Sequence, residues 1–338
     1  MNKKSICVLL ATGLSSAAAM AQQATIPTSG VTISGLLDAG VIYNSTPNGS
    51  LFKVDRGNNN RLIFSGIEDL GNGNAATFAL QHRFEPANGG VEGGVRPFWQ
   101  GESRVGLRSN DYGWIRMGRG LTAVQDPNGR YEPFGVATVA NTQDQLTAYY
   151  VAEEDLTKPA NLSAKQSAVP GGEGRWSSAV FYDSPNMAGV VARVSVQPRT
   201  GSAVPISTSL TYDNGPISLM AGYEQNNRKT KNIQVAGAYD INGTKIMGSW
   251  ATNNPVGPLK INGYGLGVNV PISAFVLRAG AAVARSNAAA TFSSKKLGVG
   301  GMYNLSKRTY LYSDIARGNT LTSAYNVWAT DLGIAHKF

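Results

Sequence analysis

Tyr325-Asn-Val-Trp-Ala-Thr-Asp-Leu-Gly-Ile-Ala-His-Lys-Phe338 ends the sequence. In steps of two, one face carries Trp328, Thr330, Leu332, Ile334, His336 and Phe338. The other carries Val327, Ala329, Asp331, Gly333, Ala335 and Lys337. Successive side chains of a strand point to opposite faces, so this is a strand with one apolar face and one small or polar face. Its edge needs a pairing partner, and its apolar face needs a solvent that accepts it.

The same period of two runs back through the chain. At 31–43, Val31, Ile33, Gly35, Leu37, Ala39, Val41 and Tyr43 share one face, against Thr32, Ser34, Leu36, Asp38, Gly40 and Ile42. It recurs at 61–68, 75–84, 103–108, 114–119, 175–182, 190–197, 206–212 and 217–224. Further segments are 231–239, 245–251, 261–270, 274–285, 295–303 and 308–316, so that with 325–338 the count is sixteen. Seven connections are tight and rich in turn formers: 69–74, 109–113, 184–189, 213–216, 240–243, 271–273 and 304–307. Between them lie eight longer polar loops: 44–60, 86–102, 120–174, 198–205, 225–230, 252–260, 286–294 and 317–324.

The composition narrows what such a meander can be. Lys3 and Lys4, the apolar run Ile6 to Leu14 and Ala19-Met20-Ala21 read as a signal peptide, residues 1–21, cleaved after Ala21. Cys7 is the only cysteine and lies in that segment, so the exported chain, 22–338, is built without disulfides. Removing Lys3 and Lys4 lowers Lys+Arg from 30 to 28 against 21 acids, a net charge of +7. The basic residues are spread along the strands without a Lys/Arg run, which argues against nucleic acid as a partner. After residue 21 no stretch is long and apolar enough for a transmembrane helix. Gly supplies 40 of 338 residues while 42% remain hydrophobic.

An even number of antiparallel strands, with short turns at one end and long loops at the other, is the pattern of an outer-membrane barrel. In hydrocarbon no edge N–H or C=O can stay unpaired, so strands 31–43 and 325–338 are expected to meet and close it. The expected fold is therefore all-β, a 16-stranded antiparallel transmembrane barrel. Apolar faces would meet lipid and polar faces a water-filled lumen. Aromatic residues near strand ends fit interfacial girdles: Tyr43, Phe84, Tyr182, Tyr212, Tyr223, Tyr239, Trp250, Tyr303 and Tyr312.

Several stretches resemble Gram-negative general (trimeric) porins. They are Ser29-Gly-Val-Thr-Ile-Ser-Gly-Leu-Leu-Asp-Ala-Gly40, Arg61-Leu-Ile-Phe-Ser-Gly-Ile-Glu-Asp-Leu-Gly-Asn-Gly73 and Glu102-Ser-Arg-Val-Gly-Leu107. Gly113-Trp-Ile-Arg-Met-Gly-Arg119, Tyr182-Asp-Ser-Pro185, Tyr303-Asn-Leu-Ser-Lys-Arg-Thr309 and Gly333-Ile-Ala-His-Lys-Phe338 complete the set, in order along the chain. The resemblance implies a trimer whose interface uses the first and last strands, a long third loop folded into the pore, and Phe338 as the signal read by the barrel-assembly machinery. It also implies outer-membrane lipid and lipopolysaccharide as surroundings.

The third loop, 120–174, is by far the longest connection, and loops of that length in a compact domain are usually functional. It holds Asp126, Glu132 and Asp144, and further acids at 153–155 that read as solvated surface charge. Glu132-Pro133-Phe134-Gly135 resembles the family's Pro-Glu-Phe-Gly tip with the first two residues exchanged. Opposite it, alternation turns Arg61, Arg83, Arg104, Arg108 and Arg116 into the lumen, and Arg119 ends its strand where the long loop begins; the six form the expected basic wall of the constriction. A charge on the lipid face at mid-barrel costs about 2–4 kcal/mol, which favours inward placement. An arginine wall facing an acidic loop would set a transverse field and an ion preference. Ser65 and Phe181 stand where many relatives carry a basic residue, so the expected preference is only mildly for anions.

Other readings have less support. Hydrolysis needs a base, and His82 and His336 of the mature chain both fall on the outward face. There is no Cys/His metal cluster, and no cofactor is expected. Gly263-Tyr-Gly-Leu-Gly267 lies in a strand, where glycines serve bending or packing better than phosphate binding. The expected function is passive diffusion of ions and small hydrophilic solutes. A barrel displaying its loops as an adhesin or antigen ranks second. A substrate-specific channel ranks third, because no strand face carries a run of aromatics.

Overall fold

The computed structural model describes residues 29–338 apart from 47–48, 93–95, 136–137, 144–173, 199–202, 227–228, 255–259, 288–292 and 321–322. The expected export segment 1–21, Asp144 and the acids at 153–155 lie outside the described residues.

Sixteen long strands form the barrel wall. They are β1 (Gly30–Thr46), β2 (Arg61–Gly71), β3 (Asn74–Glu85), β4 (Glu102–Ser109), β5 (Gly113–Leu121) and β6 (Arg175–Asp183). Next come β7 (Val190–Val196), β8 (Ile206–Asn214), β9 (Ile217–Gln225), β10 (Lys231–Ile241) and β11 (Thr244–Asn254). The last are β12 (Ile261–Ile272), β13 (Phe275–Ser286), β14 (Ser294–Asn304), β15 (Thr309–Thr320) and β16 (Ser323–Lys337). Every neighbouring pair is antiparallel, and β1 pairs with β16, so the sheet closes on itself. Each segment expected from the alternation is found as a strand. Two short additions occur inside loops: Gly49–Asp55 pairs with the far half of β1, and Gly90–Val91 with the end of β3.

The seam matches Leu36 with Lys337 and Asn44 with Ala329. The terminal residue takes part, since Gly35 N–H donates to Phe338 O (3.0 Å) and Phe338 N–H to Gly35 O (3.3 Å). Exposure alternates as the sequence demands. On β16, Trp328, Leu332 and Ile334 face outward while Asp331, Gly333 and Ala335 are buried. On β4, Val105 and Leu107 face outward. An outward apolar face of this kind is stable only against hydrocarbon.

One girdle assignment fails. Tyr312 is inward and 3% exposed. Alternation puts it with Asp314 and Ala316, opposite to Leu311 and Ile315. Its hydroxyl donates to Asp38 Oδ1 (2.7 Å), so it braces the seam rather than a membrane interface.

Candidate pore constriction

The third loop leaves β5 and turns into the barrel. Its backbone is held by polar side chains of the inner wall: Ala123 N–H donates to Ser195 Oγ (2.9 Å) and Val124 N–H to Ser207 Oγ (3.1 Å). Ser209 Oγ donates to Ala123 O (2.6 Å), and Thr122 Oγ1 to Glu224 Oε2 (2.6 Å). Small hydroxyl residues at these inward positions leave room for the loop and satisfy its amides. A single helical turn, Gln125–Asn128, and a 3-10 turn, Gly129–Tyr131, follow. They descend toward the short-turn end, where Tyr131 and Ser218 exchange a hydroxyl bond (3.1 Å), Arg130 pairs with Asp213 (3.1 Å) and Lys245 Nζ donates to Arg130 O (2.7 Å).

The loop then crosses β12 to β14 on bare glycine. A Cβ added at Gly280 would lie 2.8 Å from Pro133 Cγ and 2.9 Å from Phe134 Cε2. Gly267 and Gly298 give the same close approach to Pro133 and to Phe134 and Ala140. Gly267 ends the glycine-rich stretch of β12, and its use is packing. Arg278 forks onto Asp314 (2.9 and 2.6 Å), lies 5.5 Å over the Phe134 ring, and reaches Phe134 O at 3.4 Å. Val139 N–H donates to Asp331 Oδ2 (3.2 Å), on β16. The described part of the loop thus follows the wall from β7 around to β16 and leaves β2 to β6 facing the lumen.

Glu132 departs from its expected place as a lumen-facing acid. It is 6% exposed, and its carboxylate accepts from Phe134 N–H (2.9 Å), Thr142 N–H and Thr142 Oγ1 (both 3.0 Å). It staples the two limbs of the loop together. Burial pushes its carboxyl up to about 7, against these bonds and the Arg278 charge, which act the other way.

The six expected arginines lie on β2 to β5, and most are engaged. Arg61 Nη1 donates to Asn59 O (3.1 Å), and Arg61 stands in register with Arg83. Arg83 Nη2 meets Glu92 Oε1 (2.7 Å). Arg104 pairs with Glu102 (3.0 Å) and lies 5.5 Å over the Trp114 ring. Arg116 stacks 4.1 Å over the same ring and pairs with Asp183. Arg119 donates to Gln100 O and Ser177 Oγ, both at 2.8 Å. Arg108 stands beside Trp114 in register, near the short turn. Asp126, on the descending turn, comes within 3.6 Å of Arg193, which is 3.8 Å from Asp183. It is the described loop acid that meets the arginine wall.

Several partners were not read from the sequence. Arg56 and Arg96 converge on Glu92 from the first and second loops. Arg193 and Arg278 are inward by plain alternation, Arg278 between outward Leu277 and Ala279, and that signal was available. Asp183 stands opposite Arg193 in the β6–β7 hairpin, and Asp314 lines up with Arg278 across Gly300 of β14. Phe181 is 1% exposed and packs with Trp176 and Ala179, filling wall volume beneath Arg116.

A family model described as Gram-negative porin matches residues 7–323. An outer membrane porin protein of Bordetella pertussis is 24% identical over 406 residues, covering 98% of this chain and 99% of the relative. Outer membrane porin protein 32 of Delftia acidovorans is 26% identical over 343 residues, covering 93% and 89%. Among solved structures, the anion-selective porin from Comamonas acidovorans superposes with a TM-score of 0.77 at 23% identity, over 92% of this chain and all of that one. OmpT of Vibrio cholerae in its trimer form gives 0.67 at 12% identity, over 92% of this chain and all of that one.

Proposed function

The chain belongs to the Gram-negative porin family and resides in the outer membrane, and from that premise we propose that its channel is mildly anion-selective, with the selectivity set where the third loop narrows the lumen. The observation that carries this reading is the one-sided charge layout. Arg61, Arg83, Arg104, Arg108, Arg116 and Arg119 lie on adjacent strands, while the loop covers the opposite wall. Glu92, Glu102 and Asp183 neutralise part of that wall, which keeps the preference mild. Asp126 supplies the counter-charge at the narrowing. Arginine suits the role because it stays charged beside like neighbours and stacks on Trp114.

Stepwise conductance of the refolded protein in a planar bilayer tests the reading. Replacing chloride by acetate should lower the steps more than replacing potassium by lithium. The reverse order would refute anion preference, and the absence of any steps would favour a barrel that only displays loops.

The assembled state is read as a homotrimer, supported by the family resemblance and by the trimer form of OmpT. Residues 1–21 are read as a signal peptide removed on export. Phe338 is read as the assembly signal, supported by its place in the closing seam; deletion of Phe338 should slow insertion, and an unchanged rate would refute the role. The chain is read as a channel without enzymatic activity. In support, His82 stacks on Phe98 on the outer face (centroids 3.9 Å) and His336 Nδ1 bonds Thr309 Oγ1 (2.9 Å).

A further inference from the structure

The partner of β1 is interrupted where it passes the seam. Gly40 stands opposite Asp55 and Leu36 opposite Arg61, so the segment Gly49–Asp55 and β2 run in line against one strand. Between these two matches five residues, Arg56-Gly-Asn-Asn-Asn60, stand against three, Leu37 to Ala39. A surplus in one strand of an antiparallel pair stays unpaired and bends out of the ladder. Asn60, fully buried, fills the gap with its side-chain amide, which takes the place of a peptide group. Asp38 N–H donates to Asn60 Oδ1 (2.5 Å) and Asn60 Nδ2 to Asp38 O (3.1 Å), while Phe84 N–H donates to Asn60 O (3.4 Å) on the other side. The ladder is thus kept while residues 56–59 step out of it.

They step into the lumen. Leu37 and Ala39 are exposed on the outer face and Asp38 is buried on the inner one. Gly57 N–H donates to the Asp38 carboxylate (2.7 Å) and lies so close over the Tyr312 hydroxyl that a Cβ would collide with it. Asn58 Nδ2 reaches Tyr310 Oη (3.5 Å), which shares the inward side of β15 with Tyr312. Residues 56–59 therefore form an inner layer across the seam of β15, β16 and β1. The third loop lines the wall from β7 to β16, and this insertion carries the lining on to Arg61, whose Nη1 donates to Asn59 O (3.1 Å). Arg56 tethers it from the other side. It donates to Asn59 Oδ1 within the insertion and meets Glu85 (2.8 Å) and Glu92 (2.6 Å). Arg83 and Arg96 approach the same Glu92 carboxylate at 2.7 and 3.7 Å, and Glu92 is buried. Charge-assisted bonds of this kind hold their partners more firmly than neutral ones.

We infer that residues 56–59 are a second constriction element of the pore, with Asn58 and Asn59 lining the permeation path and Glu92 as the residue that positions them. Both asparagines are half-buried, with a side left open to the lumen. The element offers amides to a passing solute, because the Arg56 guanidinium is held between two acids. It narrows the path beside the arginine wall while adding little charge of its own. The inference rests on the channel reading but not on the sign of the ion preference.

The only cysteine is Cys7, so a chain refolded from residue 22 has none, and a single introduced thiol reports on its own position. Asn58→Cys and Asn59→Cys channels in a planar bilayer are treated with a cationic or an anionic methanethiosulfonate. The cationic reagent should lower single-channel conductance in steps of at least about a tenth and raise the chloride-to-potassium permeability ratio, and the anionic reagent should lower that ratio. Ser50→Cys, which stands opposite Ser45 on the outer face, should show neither change. Glu92→Gln or Arg56→Gln, added to Asn58→Cys, should speed modification at least about threefold as the tether is released. Thiols at 58 and 59 that fail to react, or that react without moving the ratio, would overturn the lining, as would an equal response from Ser50→Cys. An unchanged rate in both tether variants would overturn the role of Glu92. Absence of channels in the native protein would strike the porin reading itself, and this inference with it.

Discussion

The Tyr312 hydroxyl donates to Asp38 Oδ1 at 2.7 Å, from β15 to β1, over the intervening strand β16. The bond is possible because Tyr312 stands in register with Gly333, where any Cβ would collide with its ring. Gly57 N–H donates to the same carboxylate oxygen (2.7 Å), so the first loop is tied to the seam as well. The seam is thus braced by the side chains of Asp38 and Tyr312, with room given by Gly333 of β16 and a backbone N–H from the first loop, beyond the ladder between first and last strands.

Removing that hydroxyl leaves a buried carboxylate short of a donor. Tyr312→Phe is expected to lower unfolding stability in urea by about 1–3 kcal/mol. Gly333→Ala should do at least as much, because the ring must move. Unchanged midpoints for both variants would show that the seam does not rest on this bond.

Glu132 makes loop docking pH-dependent, with a definite sign. Its folded value of about 7 lies above the ordinary 4.5, so the docked loop holds the proton more tightly than the free one. Docking is strongest at pH below about 4.5, weakens as pH rises, and levels off above about 7. Open-channel current noise should rise between pH 5 and pH 8 in the native protein and stay flat in Glu132→Gln. Noise that rises equally in both would assign the effect to another group.

The glycine floor under Pro133 and Phe134 predicts a steric effect. Gly280→Val must lift this part of the loop toward the pore axis, since even a methyl group there falls inside van der Waals contact. Single-channel conductance should fall while the barrel still folds. Native conductance in a folded variant would show that the loop is not seated there.

Asp126 is expected to oppose anion passage beside Arg193. Asp126→Asn should raise the chloride-to-potassium permeability ratio by up to about twofold. An unchanged ratio would place its charge outside the permeation path.

Much of this arrangement was legible in the sequence because a barrel strand has one strong signal, the period of two, and each of the sixteen carries it. Gly49–Asp55 was missed for a physical reason: Leu51, Lys53, Phe52 and Val54 are all exposed, so no burial imposes alternation. Tyr312 was misread because an aromatic assigned to a girdle by type alone looks the same whether it faces lipid or lies over Gly333 of the next strand to reach Asp38 two strands away. The aim of Glu132 was not legible either, since it depends on amides ten residues onward folding back to meet it. Parity gives a side for Arg61, Arg83, Arg104, Arg108 and Arg116, whereas their partners Glu92 and Asp183 depend on which strands and loops become neighbours.

The central claim is that the arginines of β2 to β5 give the pore its ion preference. The direct measurement is the zero-current potential across a bilayer in a potassium chloride gradient, for the native protein and for Arg104→Ser, Arg116→Ser and Arg119→Ser combined. The native channel should give a modest potential of the sign for chloride preference, and the triple variant one near zero or of the opposite sign. A native potential of clear cation sign, or an unchanged one in the triple variant, would contradict the account.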